Sequence, residues 1–263
     1  MDLGLKGRVA LVAAASKGLG RAVAEELAAE GAKLAICSRD AEAIEAVGNE
    51  ISNATGAEVL ARAADVSRAG DIETFVDTAL RIYGRVDILF TNGGGPPPGK
   101  FETHDAAAWQ RAAELVLFAP VELARRVLPG MKERRWGRIL NLTGIAAKQP
   151  VDNLMLSNSL RAAVTGWART LANEVAPFGV TVNNVLPGYT RTERVEALAL
   201  ANAKRDGITP EQAVARWERE IPLGRLGEPR EFAALTAFLA SERASYITGQ
   251  SIAVDGGWIQ ALL

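Results

Sequence analysis

Seven short β-rich runs separated by longer helical patterns constrain this chain most. The runs are Arg8 to Ala13, Lys33 to Ser38, Glu58 to Ala63, Asp87 to Thr91, Arg138 to Leu142, Thr181 to Leu186 and Ser251 to Val254. Between them lie helical stretches over Leu19 to Glu30, Ala41 to Ala54, Ile72 to Tyr83, Asp105 to Arg135, Leu154 to Ala176 and Pro229 to Leu239. That alternation predicts an α/β architecture, a doubly wound parallel sheet with helices on both faces. At 263 residues, 48% of them hydrophobic, the chain suits one domain spanning 1–263 with a sizeable core. Pro120, inside the long fourth helical pattern, predicts a kink because it removes a hydrogen bond and crowds the preceding turn. Residues 93–99, Gly-Gly-Gly-Pro-Pro-Pro-Gly, predict a loop at the C-terminal edge of the sheet.

Charge and single residues exclude several classes. Lys and Arg total 30 against 31 Asp and Glu, a formal net charge of -1, so no global basic field favours nucleic acid or an anionic membrane. The lone cysteine, Cys37, lies in an apolar strand pattern and reads as a core residue. It can form no internal disulfide, which suits a reducing compartment. With neither a signal-peptide pattern nor an apolar run of about 18 residues, the expected location is the cytoplasm. His104, the one histidine, stands in a polar stretch without metal-ligand spacing to Cys or carboxylates, so it reads as a solvated loop residue and no metal site is predicted. The arginines around Pro129-Gly130 read as solvating a helix end.

The first strand leads into Ser16-Lys17-Gly18-Leu19-Gly20 and then a helix, a strand, tight turn and helix in series. In such a sheet the ligand crevice lies outside the carboxyl ends of the strands. Gly18 and Gly20 let the backbone approach a pyrophosphate, whose charge is favoured by exposed amides at the helix start. Ser38-Arg39 follows the second strand where an acidic residue would repel a 2′-phosphate, and Lys17 and Arg39 offer it charge-assisted hydrogen bonds. NADP(H) is therefore favoured over NAD(H), although Asp40 next door offers a partner for ribose.

Taken with Asn92-Gly93-Gly94, Pro187-Gly188 and Thr192, Ile247-Thr248-Gly249-Gln250 and Val254-Asp255-Gly256-Gly257, these motifs resemble, in order and spacing, the short-chain dehydrogenase/reductase family. The likeness runs along essentially the whole chain and is nearest to 3-oxoacyl-carrier-protein-reductase-like members. It implies a Rossmann-type fold, a homotetramer and a mobile substrate lid at 194–220, where Thr209-Pro210-Glu211 reads as a helix cap and first turn. It further implies that Ala14, Ser16, Leu19 and the two turn glycines hold the cofactor. By the same resemblance Asp65 and Val66 contact adenine, Asn92 and Gly94 line the middle of the cofactor, and Pro187, Gly188 and Thr192 border the nicotinamide. Asp65 also reads as a strand-end turn residue. The family's Thr-Gly pair before the turn is replaced by Ala13-Ala14.

The catalytic positions depart further. Aligned residue by residue, Ser157 stands at the family's tyrosine, Arg161 at its lysine, Gly144 at its serine and Val116 at its asparagine. An aliphatic hydroxyl is a far poorer acid than a phenol, and a guanidinium keeps its charge without readily exchanging a proton. Ser157 and Arg161, four apart, share a helix face. Thr143 offers a neighbouring hydroxyl, but adjacent residues at a strand end point to opposite faces. Tyr189 reads either as a relocated acid or as a pocket wall. Two functions follow from the resemblance: an atypical NADP(H)-dependent oxidoreductase acting on a small carbonyl or alcohol, 3-oxoacyl-reductase-like, with Ser157, Arg161, Thr143 and Tyr189 as candidate catalytic residues, or a catalytically silent NADP(H)-binding sensor or partner subunit.

Overall fold

The computed structural model describes residues 2–262. Seven strands form one parallel sheet in the order β3-β2-β1-β4-β5-β6-β7. They are β1 (Val9–Val12), β2 (Lys33–Ser38), β3 (Val59–Ala63), β4 (Ile88–Thr91), β5 (Gly137–Leu142), β6 (Val180–Pro187) and β7 (Ser251–Val254). Every side chain of β1 and β4 is buried, the uniform burial expected of central strands covered on both faces. The order reverses at β1, whose neighbours are β2 and β4, and this opens a crevice above its C-terminal end.

The helices α1 (Gly18–Ala29), α2 (Ala41–Thr55) and α9 (Pro229–Ala240) lie with one apolar layer, built on Val12, Ile36, Phe90 and Phe232. The opposite layer, on Leu11, Cys37, Phe75 and Ile139, receives α3 (Ala69–Tyr83), α5 (Ala119–Glu133) and α6 (Met155–Val175). α4 (Ala106–Ala113) precedes α5. α7 (Glu193–Asp206) and α8 (Pro210–Glu220) pack on one another through a small core of their own that includes Val195, Ala199 and Trp217. Gly207, with φ of 65°, breaks this polar segment into two helices.

Two sequence expectations are corrected. The pattern over Asp105 to Arg135 is not a plain α-helix. A π-helical turn, Glu114–Phe118, lies between α4 and α5 with right-handed helical backbone at both junctions, and Pro120 follows it just after Ala119. His104 is not a solvated loop residue. It is partly buried, and its Nε2 packs against Gly99 without a hydrogen-bond partner, at the base of the proline-rich loop.

Candidate active site

The crevice at the C-terminal edge of the sheet is a cavity of about 730 Å³. At one end the turn between β1 and α1 presents Ser16, Lys17, Gly18 and Leu19. Gly18 has φ of 57°, and a Cβ on Gly20 would collide with the Ala14 carbonyl and lie 2.8 Å from Asn92 Nδ2. Glycine is required at position 20 and takes the left-handed backbone at 18 without steric cost, and the first turn of α1 borders the cavity. Ala14 takes φ of 50°, a left-handed conformation that costs a non-glycine residue about 1 kcal/mol or more. The Asn92 amide donates to the Ala14 carbonyl at 3.2 Å and helps hold this turn.

Arg39 and Asp40 follow β2 at the cavity's edge. Arg39 is exposed and makes no hydrogen bond or ion pair among the described residues. Asp40 caps α2, its Oδ1 accepting from the Ala43 amide at 3.0 Å, and its second carboxylate oxygen remains available to a ribose hydroxyl. Lys17 departs from the expected free cation, because its Nζ is paired with Glu193 at the start of α7. Asp65 and Val66 border the cavity after β3, and Asp65 also closes its own turn by accepting from the amide and hydroxyl of Ser67. Asn92, Gly94, Pro187, Gly188 and Thr192 line the middle. Thr192 also caps α7, and a Cβ on Gly188 would meet the Asp255 backbone at 2.6 Å. The close backbone approach at Gly20, the first turn of α1 along the cavity and Arg39 at its edge, unpaired among the described residues, fit a dinucleotide.

At the other end, α6 places Ser157 and Arg161 on one face, as their spacing requires. Arg161 Nε donates to Ser157 Oγ at 3.2 Å, Nη1 to the Leu142 carbonyl at 2.9 Å and Nη2 to the Gly94 carbonyl at 3.1 Å. Burial, and then the charge of Arg194, pull this guanidinium down to about 10. Because the Ser157 oxygen accepts from a cation, its own hydrogen is left free to donate, and the residue lines the cavity.

The other catalytic candidates separate. Thr143 borders the cavity, but its Oγ1 is sealed from solvent and has no partner. Gly144 adopts extended backbone, and a Cβ there would make an ordinary 3.5 Å contact with Arg161 Cδ. Val116 lies in the π turn, buried with Leu156 and Leu160, so the expected asparagine position is apolar and offers no relay. Tyr189 stacks on Trp217 with ring centroids 4.5 Å apart and meets Trp258 edge-on at 6.0 Å. Burial, helped by Glu220 and Asp152, pushes its hydroxyl up to about 12, which makes it a wall between this cavity and a neighbouring one of about 370 Å³ rather than a ready acid.

Sequence reasoning missed Arg194. The side chain crosses from α7 to donate to the Pro96 carbonyl at 2.8 Å, and it lines the same cavity. Its signal in the sequence was only its place two residues after Thr192.

A family model described as enoyl-(acyl carrier protein) reductase matches residues 13–259. The 3-oxoacyl-[acyl-carrier-protein] reductase FabG of Vibrio cholerae is 35% identical over 256 residues, covering 97% of this chain and 98% of its own. The NADPH-dependent reductase BacG of Bacillus subtilis is 33% identical over 260 residues, covering 97% and 99%. L-Sorbose reductase from Gluconobacter frateurii, solved with NADPH and L-sorbose, superposes with a TM-score of 0.95 at 32% identity over the whole of both chains. Among the described residues no helix is long and apolar enough to cross a membrane, and no group of three or more His, Cys, Asp or Glu could hold a metal.

Proposed function

Since the chain belongs to the short-chain dehydrogenase/reductase family, we propose that it reduces a small carbonyl compound with NADPH, without the usual tyrosine acid. The observation that carries this reading is the pair of Ser157 and Arg161, a polarised hydroxyl in the same cavity as the glycine turn. The first amides of α1 hold the pyrophosphate, and Arg39 meets the 2′-phosphate. When bound, the reduced nicotinamide supplies hydride to the carbonyl carbon, so that one carbonyl compound, one NADPH and one proton become one alcohol and NADP⁺. Ser157 donates its hydrogen to the carbonyl oxygen and stabilises the charge that develops there. Arg161 holds Ser157 in that direction and adds positive potential. Water delivers the proton, because neither Ser157 nor Tyr189 is acidic enough to do so. α7 and α8 cover the substrate side as a lid, tied to the turn by Lys17 and Glu193.

Binding energy and positioning alone support reduction at a rate below that of a relative with a full set of catalytic groups, since general acid catalysis is worth about 10²- to 10⁴-fold. A second reading, a nucleotide-binding subunit without turnover, is favoured by one observation: Arg161 spends three donors on Ser157 and two backbone carbonyls. The experiment is calorimetric titration with NADPH and NADH, followed by single-turnover oxidation of bound NADPH in the presence of ketones and β-keto thioesters. We expect NADPH to bind more tightly than NADH, and Arg39→Asp to weaken NADPH more than NADH. Binding with no oxidation would leave only the second reading, and equal losses for both nucleotides would remove Arg39 from the 2′-phosphate.

A further inference from the structure

Two guanidiniums converge on one loop of the cavity. Arg161 reaches it from α6 through the Gly94 carbonyl, and Arg194 reaches it from the first turn of α7 through the Pro96 carbonyl. Neither has a carboxylate within ion-pair distance among the described residues, although seventeen such pairs occur elsewhere. The adjacent acid, Glu193, is engaged by Lys17. Carbonyls satisfy N–H donors but do not neutralise charge, so the two cations repel each other across a partly desolvated space. Burial lowers the Arg194 guanidinium and, with Arg194's own charge, that of Arg161.

Such an arrangement is stabilised when a ligand brings the counter-charge. Arg161 has few donors to spare, whereas Arg194 has used one N–H of its five, and a planar fork with free donors matches a carboxylate in bidentate fashion. Under the proposed function the cofactor's phosphates have other anchors lining the same cavity, the first turn of α1 and Arg39. The Arg194 fork instead packs against Gly95, on the loop shared with Arg161 and hence with Ser157.

We propose that Arg194 forms an anion subsite and that the substrate is an oxo acid, its carboxylate held by Arg194 while its carbonyl faces Ser157. This rests on the carbonyl-reductase reading. It differs from that reading in naming an acidic substrate class and a residue that selects it.

The test titrates the NADPH-saturated protein by calorimetry with 3-, 4- and 5-oxo carboxylates and with their methyl esters. Wild type, Arg194→Gln and Arg194→Lys are compared, with circular dichroism reporting their folding. The expected result is that at least one acid binds about tenfold or more tightly than its ester. Arg194→Gln abolishes that preference, Arg194→Lys keeps part of it, and NADPH affinity changes far less than acid affinity. The subsite is overturned if no acid outbinds its ester, or if Arg194→Gln weakens NADPH as much as the acid, which would assign the guanidinium to the cofactor phosphates. Acids that bind selectively but never oxidise NADPH would leave the anion subsite standing and remove the reductase reading instead.

Discussion

At the scale of single residues, the site is a set of substitutions that fit one another sterically. Serine at 157 is shorter than tyrosine by a ring, and Arg161 reaches across to fill part of the volume, tying the hydroxyl and two carbonyls together. Glycine at 144 leaves room for this guanidinium, yet a Cβ at that position would make only ordinary contact with it. Restoring Gly144→Ser, Ser157→Tyr and Arg161→Lys together therefore introduces an acid, a tuning cation and a polarising hydroxyl without a backbone clash at 144. The expected gain in single-turnover ketone reduction is about 10²-fold, the scale of general acid catalysis. A triple variant that folds, binds NADPH and reduces no faster than wild type would mean that the frame does not place hydride and carbonyl within reach. Ala14 belongs to the same scale: its left-handed φ shows the turn keeping the geometry glycine would take, at a local energetic cost.

Elements decide where those residues meet. The π turn between α4 and α5 points Val116 into the apolar contact with α6, which removes a polar group from beneath Ser157 and Arg161. α7 and α8 hold together as a unit because their own core closes beneath Trp217, and because Thr209 and Gln212 cap α8 reciprocally at 3.2 and 3.0 Å. Thr209→Ala removes the side-chain half of that box and costs about 1 kcal/mol of local stability. Hydrogen exchange is expected to speed up in α8 while the sheet strands keep their protection, because the helix pair opens more readily than the core. Acceleration spread evenly over the sheet would show instead that α7 and α8 do not open independently.

Across the whole molecule, buried polar groups are spent on joining strands. Thr91, Asn141, Asn184 and Ser251 form a hydrogen-bonded row over β4, β5, β6 and β7, with contacts of 2.8, 3.1 and 3.0 Å. Just before β4 Asp87, fully buried, accepts from the Val9 amide and from Arg85. The core also contains one weak acid with a large consequence for pH. Burial pushes the Cys37 thiol up from 9.0 to about 12. Below pH 9 the thiol is protonated in both folded and unfolded chains, and its contribution is fully present. As pH rises from 9 to 12 only the unfolded chain ionises, so stability falls. Chemical denaturation across that window should show a midpoint whose decline Cys37→Ala makes shallower, with further contributions in the same direction from Tyr189 and Tyr83 and in the opposite direction from Arg161. An unchanged slope in Cys37→Ala would place the alkaline sensitivity elsewhere.

Periodicity and turn chemistry by themselves determined the parallel sheet, the strand positions to within a residue or two and the glycine turn, because local sterics and a two-sided core leave a chain of this pattern few alternatives. That Ser157 and Arg161 replace the family's tyrosine and lysine was legible through the resemblance alone, while helical spacing put the two on one face. Only the tertiary structure decided what surrounds them. The π turn packs against α6 through Val116, and the Thr143 hydroxyl is sealed from solvent, two facts of packing that no local pattern displays. His104 was misread because its burial comes from contact with Gly99 and not from its polar neighbours. The pairing of Lys17 with Glu193, and the meeting of Arg161 with Arg194, join residues far apart in the chain. Those contacts follow from how the last helices fold back over the sheet, a non-local choice that no window of sequence encodes.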